Sequence, residues 1–314
     1  MSRELQAAGA DHADTITELA RFALLGIRGR DRITFLQGQF TCDVNAIPTN
    51  TISHGAWCNT KGRVLANFLL CRLDTELLLL LPGELKDNFL KRLRMYVLRA
   101  DVTITDLTQS HALLGITVEQ QHASINLLLQ ELPQQSYQIT CREGLIIGRL
   151  PGTPTRYLLC ATQPEAQTLR QQIEDKLQPV DERAWQLQEI LAGLPWVIGA
   201  TSEQFLPQSL NLDTLGGLSY NKGCYLGQEI IARMHFRGQL KQRMYRAAAD
   251  TANDPLPGSK LYMPGAEQSV GAVVNTARHP EGGCSLLIIC DIEQARDNHL
   301  HIGSPEGDVI RFIE

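Results

Sequence analysis

Nowhere in this chain do two cysteines form a C-x-x-C pair, so the usual frame for a zinc or iron-sulfur site is missing, although eight cysteines are scattered from Cys42 to Cys290. A chain of 314 residues needs no disulfide staples, and its thiols are expected free and mostly buried as small hydrophobes. Long hydrophobic runs are missing too: Leu77–Leu81 stops at Pro82, far short of the ~20 apolar residues of a membrane span. Met1–Ala20 mixes charges and lacks the apolar stretch of a signal peptide, which points to a cytoplasmic protein away from membranes. There is no excess of positive charge. With 29 Lys and Arg against 34 Asp and Glu, the net charge of -5 provides no global field toward nucleic acid or anionic lipid, so any RNA role is local or indirect. Phosphate-binding loops are also lacking, because Gly144–Gly148 and Gly282–Gly283 fall in hairpin text without a strand-to-helix setting. His299 and His301 alternate along strand text without a third ligand, so no metal is expected.

What is present is a folded, multidomain pattern. Apolar residues make up 43% and charged residues 20%, which excludes a disordered chain, and the length exceeds a single core of about 250 residues. Arg21–Ile27 reads as a strand closed by Gly29, and Asp31–Phe40 as a short helix presenting Ile33, Leu36 and Phe40. From Ile52 to Pro82 the text is strand-like and broken at Asn59–Gly62 and Leu73–Glu76, an antiparallel meander. A helix over Glu84–Leu98 carries Leu85, Phe89, Leu93 and Val97 on one stripe, with Lys86, Lys91, Arg92 and Arg94 as a solvated basic face.

Leu113–Val118, Ile125–Leu132, Tyr137–Leu150, Tyr157–Ala161 and Pro164–Leu177 read in turn as strand, helix, hairpin, strand and helix, a ferredoxin-like α+β unit. Beyond Gly238 the helical period vanishes. Short strands at Met244–Ala249, Lys260–Met263, Val270–Thr276, Ser285–Cys290 and Val309–Ile313 read as a small barrel or sandwich.

Two stretches can carry chemistry. In LSYNKGCYLGQEIIARMHFRG, Leu218–Gly238, a helix begins near Gln228, which puts Cys224 just ahead of a helix N-terminus where a thiolate is favoured, with Lys222 nearby to assist. Equally open is a tight turn shaped by Gly223 and Gly227 in which Cys224 merely packs. The second stretch is the helix Asp181–Leu191, where Ala184, Leu187, Ile190 and Leu191 share an apolar face and Trp185 projects away from it beside Gln188 and Glu189. Something else must cover that indole. A flat heteroaromatic ligand with its polar edge on Glu189 is one cover, and a neighbouring domain is the other.

The stretch KGCYLGQE, Lys222–Glu229, resembles the K-G-C-[FY]-x-G-Q-E signature of the YgfZ family. Gly29–Val44, Ala56–Leu70 and Leu206–Gly238 are similar to further segments of that family in the same order, so the resemblance spans nearly the whole chain. It implies an α+β fold in three parts like that of the glycine cleavage T-protein, two α+β units and a C-terminal β-barrel around a central channel. On that plan residues 1–107 and 179–238 form a folate-binding domain, 108–178 a ferredoxin-like subdomain and 239–314 the barrel.

The resemblance further implies a protein that binds tetrahydrofolate or a derivative and supports assembly or repair of iron-sulfur clusters in selected enzymes. Its partners would be those enzymes, including a radical tRNA methylthiotransferase, so the tRNA link is indirect and no direct nucleic-acid contact is expected. Trp185 matches a family tryptophan implicated in folate binding, and Phe22 matches a second such position that is tryptophan in the best-known member. Glu189 and Asn67 complete the expected folate set, Cys224 and Lys222 the reactive element, and Gly223, Tyr225, Gly227, Gln228 and Glu229 the motif around it. The resemblance also aligns Asn67 with the catalytic aspartate of the aminomethyltransferases, and a neutral amide cannot act as that anion. Glycine-cleavage chemistry is therefore not expected. Two other classes stay open: a tetrahydrofolate-dependent one-carbon transferase or demethylase using another acid, and a folate-sensing module without chemistry.

Overall fold

The run Leu77–Leu81 is buried at every position, which an alternating half-exposed strand would not be, and this identifies a sheet covered on both faces. In the computed structural model, which describes residues 14–118, 129, 131–173, 176–294 and 299–313, this run belongs to the first of three sheets. In chain order the strands are β1 (Thr15–Glu18), β2 (Phe22–Arg28), β3 (Thr51–Cys58), β4 (Val64–Arg72), β5 (Leu77–Pro82) and β6 (Thr103–Asp106). They continue with β7 (His111–Val118), β8 (Ile139–Arg142), β9 (Leu145–Leu150), β10 (Thr155–Thr162) and β11 (Gln178–Pro179). The helices α1 (Arg32–Gln37), α2 (Lys86–Arg94), α3 (Gln163–Ile173), α4 (Glu182–Leu191) and α5 (Gln228–Arg237) are inserted among and after them.

The first sheet runs β3-β4-β5-β2-β6, antiparallel throughout, and contains the expected meander. Leu77, Leu79 and Leu81 lie under Phe35 and Leu36 of α1 and Phe89, Leu90 and Leu93 of α2. Leu78 and Leu80 point the other way, onto Leu113, Leu158 and Cys160 of the second sheet. Period two thus divides one leucine run between two cores. The α2 helix is shorter than Glu84–Leu98, because Gly83–Leu85 is a 3-10 turn and the chain leaves the helix after Arg94 to reach Leu98 at φ 45°.

The second sheet runs β11-β1-β7-β10-β9-β8, with α3 against its outer face through Ala166, Leu169 and Ile173. It takes β1 from before the expected 108–178 span and β11 from its far edge, where Thr15 pairs with Gln178 in a parallel ladder. The helix expected over Ile125–Leu132 lies largely outside the described residues, as does the polar lead-in before Asp14.

The third unit is a closed six-stranded barrel of β12 (Gln242–Ala249), β13 (Lys260–Tyr262), β14 (Ser269–Arg278), β15 (Cys284–Asp291), β16 (Leu300–Ile302) and β17 (Asp308–Ile313). Its order is β12-β15-β14-β13-β16-β17, and closure leaves no open edge. Leu286, Ile288 and Cys290 fill the barrel, whereas Leu287 and Ile289 face outward onto Leu187 and Ile190 of α4. The α4 helix therefore packs on the barrel with one face and on the sheets with the other. Among the described residues no helix is long and apolar enough to cross a membrane.

Candidate functional site

Asp181 caps α4, its side chain accepting from the Arg183 N–H at 2.8 Å, and the helix then points Trp185 and Glu189, one turn apart, away from the barrel. As expected, the indole leaves the face of Leu187 and Ile190, but protein and not ligand covers it. Trp185 is 2% exposed, and a Cβ at Gly115 of β7 would stand 2.5 Å from its ring. The missing side chain at Gly115 is the socket for the indole, and the buried Arg156 guanidinium lies 5.1 Å from its centroid. The expectation of Trp185 as a ligand wall is corrected to the alternative of packing on a neighbouring sheet, because the indole does not border the Phe22–Trp196 cleft.

The wall belongs to Trp196 instead. Its ring meets Phe22 edge-on with centroids 4.6 Å apart, and both border a cleft of about 420 Å3 between the start of β2, the end of β5, α4 and β14. Glu189 forms the hub behind this corner. Its Oε1 accepts from the Trp185 Nε1–H at 3.1 Å and the Trp196 Nε1–H at 2.9 Å, while Oε2 accepts from the Arg21 guanidinium. Arg21 also donates from Nε to Glu182 at 3.1 Å and lies over the Phe22 ring at 4.4 Å. Arg21 and Trp196 had no flag in the sequence, since Arg21 meets Glu189 only across 168 residues of chain. Phe22 and Glu189, both expected to hold a folate, border the cleft.

Asn67 does not line the cleft. It is 1% exposed, with Nδ2 donating to the Pro195 carbonyl and Oδ1 accepting from the Val197 N–H, both at 2.7 Å. With both ends of the amide engaged by backbone, the expected hydrogen bonds from Asn67 to a folate are corrected to a structural clasp.

The signature loop occupies a separate place, and none of its residues lines the cleft. Gly227 adopts φ 82° at the start of α5, and a Cβ there would sit 2.5 Å from the Asn59 carbonyl oxygen, so both its conformation and its neighbour require glycine. Lys222 and Tyr225 turn inward. The Lys222 ammonium donates to the carbonyls of Phe40 at 2.6 Å and Cys42 at 2.7 Å, and lies 4.9 Å from the Tyr225 ring centroid. Burial lowers the Lys222 pKa to about 8 and pushes the Tyr225 hydroxyl up. Gln228 donates back to the Lys222 carbonyl at 3.4 Å, Gly223 and Glu229 are exposed, and Cys224 stands exposed between the inward residues.

Lys222 thus ties this loop to the Phe40–Cys42 turn, which corrects its expected role as a cation directed at Cys224. Competitive alkylation read by mass spectrometry should label the two exposed thiols, Cys224 and Cys141, ahead of the other six, which are buried. Burial pushes Cys42, Cys71 and Cys290 to about 12 and raises Cys58 and Cys160 as well. If Lys222→Ala slows Cys224 labelling tenfold while the protein stays folded, the tether reading fails.

Comparison with known proteins bears on the fold. Residues 4–118 match the family described as the GCVT N-terminal domain. The chain is 28% identical over 290 residues to the tRNA-modifying protein YgfZ of Sodalis glossinidius (strain morsitans), covering 92% of this chain and 88% of that protein. It is 29% identical, with the same coverage, to the tRNA-modifying protein YgfZ of Yersinia pseudotuberculosis serotype O:1b (strain IP 31758). Among solved structures, the glycine cleavage system aminomethyltransferase T from Bartonella henselae superposes with a TM-score of 0.80 at 13% identity, over 96% of this chain and 85% of that one. The fold is that of the glycine cleavage T-protein, with a closed six-stranded C-terminal barrel.

Proposed function

On the premise of this chain's likeness to the YgfZ proteins and its glycine cleavage T-protein fold, we propose that it binds tetrahydrofolate or a derivative in the Phe22–Trp196 cleft and supports iron-sulfur enzymes. The observation that carries the reading is the cleft itself. Its volume of about 420 Å3 falls in the range of ~300–1,000 Å3 typical of small-molecule sites. The edges of two nearly buried aromatic rings make an apolar corner suited to a flat heteroaromatic ligand, and Gln186 brings an amide to the same space. The protein's own contribution is to hold that corner rigid through Glu189, so that little order is lost on binding.

Cys224, exposed on a loop held from beneath by Lys222, is the partner-facing element, and effects on tRNA methylthiolation follow through the client enzymes. The test is titration of 5-formyltetrahydrofolate by calorimetry. Trp196→Ala should weaken binding by about 0.5–1.5 kcal/mol. Absence of heat at millimolar ligand, with the protein folded, removes the ligand. In a strain deleted for the gene, full rescue of iron-sulfur enzyme activity by Cys224→Ser would remove the role given to the thiol.

A further inference from the structure

We propose that Asn67 is a positioning residue for the Trp196 wall of the cleft, acting with Asn275 as a two-sided clamp on the backbone of Pro195–Val197. The proposal rests on the cleft being the ligand site for its binding arm alone.

The segment Pro195–Trp196–Val197 belongs to no helix or strand, yet it is buried, and the four backbone polar groups between the Cα atoms of Pro195 and Val197 need partners. Two side-chain amides satisfy all four. From the first sheet, Asn67 donates to the Pro195 carbonyl and accepts from the Val197 N–H, both at 2.7 Å. From the barrel, Asn275 accepts from the Trp196 N–H at 2.8 Å and donates to the Trp196 carbonyl at 2.9 Å.

In an extended chain successive polar groups point to alternate sides, and each carboxamide presents one donor and one acceptor, as a neighbouring strand would. The segment is therefore held between β4 and β14 by side-chain amides in place of a strand ladder. On β14 the pairing register shifts between Val273 and Asn275, and such a bulge redirects a side chain.

The consequence is directional. With its backbone held on both sides, the Trp196 indole can reach Glu189 at 2.9 Å and meet Phe22 edge-on, which is the geometry of the cleft wall. Asparagine is the residue type this job requires. A carboxylate at position 67 keeps the acceptor for Val197 but sets an anion against the Pro195 carbonyl, 2.7 Å away, with no donor. Asn275 itself borders the cleft and Asn67 does not, so Asn67 separates positioning from ligand contact.

The chain has three tryptophans, so the indole N–H region of a nitrogen-15 correlation spectrum holds three signals, assignable with Trp57→Phe and Trp185→Phe. In Asn67→Asp and Asn67→Ala the Trp196 signal should shift and broaden while that of Trp57 stays, and 5-formyltetrahydrofolate affinity should fall about fivefold. A merely structural role would lower stability and leave the native-state indole signal where it is. If both position-67 variants fail to fold, Asn275→Asp reads the same signal from the other side. An unchanged Trp196 signal in folded variants overturns the proposal, and so does a moved signal with unchanged affinity. If the unmodified protein binds no folate, the ligand reading fails by itself, and a moved indole signal still supports the positioning role.

Discussion

Replacing Glu189 by alanine should lower the unfolding free energy by about 3–5 kcal/mol, measured by denaturant titration. Glu189 is 4% exposed and accepts from two buried indole N–H groups and one guanidinium. Removing it leaves two indole donors without partners, at ~1–3 kcal/mol each. Arg21 keeps Glu182, so its loss is partial. Glu189→Gln retains an acceptor oxygen for the indoles and should lose less, with the deficit confined to the Arg21 pair. A loss under ~1 kcal/mol in Glu189→Ala would show that water replaces the carboxylate and that the hub does not order the cleft. The Phe22–Trp196 corner should loosen in the same variant, because the bond fixing the Trp196 ring is gone.

The parts of this structure that were legible are those written in local period. The meander from Thr51 to Pro82, the helix carrying Trp185 and the strands beyond Gly238 follow from alternation, turn residues and helical spacing. Even the direction of Trp185 was readable from its helix. Its cover was not, because Gly115 lies 70 positions earlier and a glycine inside a strand does not state which ring fills its space. The same limit hid Trp196, whose setting depends on Asn67 and Asn275, more than 200 positions apart. Sequence motif drew attention to Lys222 and Cys224 as a pair, yet side-chain direction separates them, with the ammonium turned to the Phe40 and Cys42 carbonyls. Resemblance supplied the three-part fold. Only the long-range pairings show which aromatic ring borders the cleft.

Acidification should destabilise the chain through one residue more than composition suggests. His54 on β3 is 5% exposed, with Nε2 2.9 Å from the Tyr137 hydroxyl and the two rings at 84°. Burial lowers its pKa from 6.5 to about 4, because the imidazolium would have to leave water for this layer. The unfolded chain therefore binds a proton between pH 6.5 and about 4 that the folded chain refuses. Stability is fully present above the unfolded pKa and falls with pH across that window, by about 3 kcal/mol once both states are protonated. The Arg156 guanidinium, which acts on Tyr137 electrostatically, already places one cation beside this layer. Carboxylates titrate near the lower end of the same range, so the measurement is a difference: denaturant unfolding at intervals from pH 7 to pH 4 for the unmodified protein and for His54→Gln. The variant should start less stable at pH 7, having lost a fitted side chain, and should then lose less on acidification. Parallel curves would mean that His54 is protonated in the folded state with a compensating partner, and the charge balance of the layer between the two sheets would have to be redrawn around Tyr137.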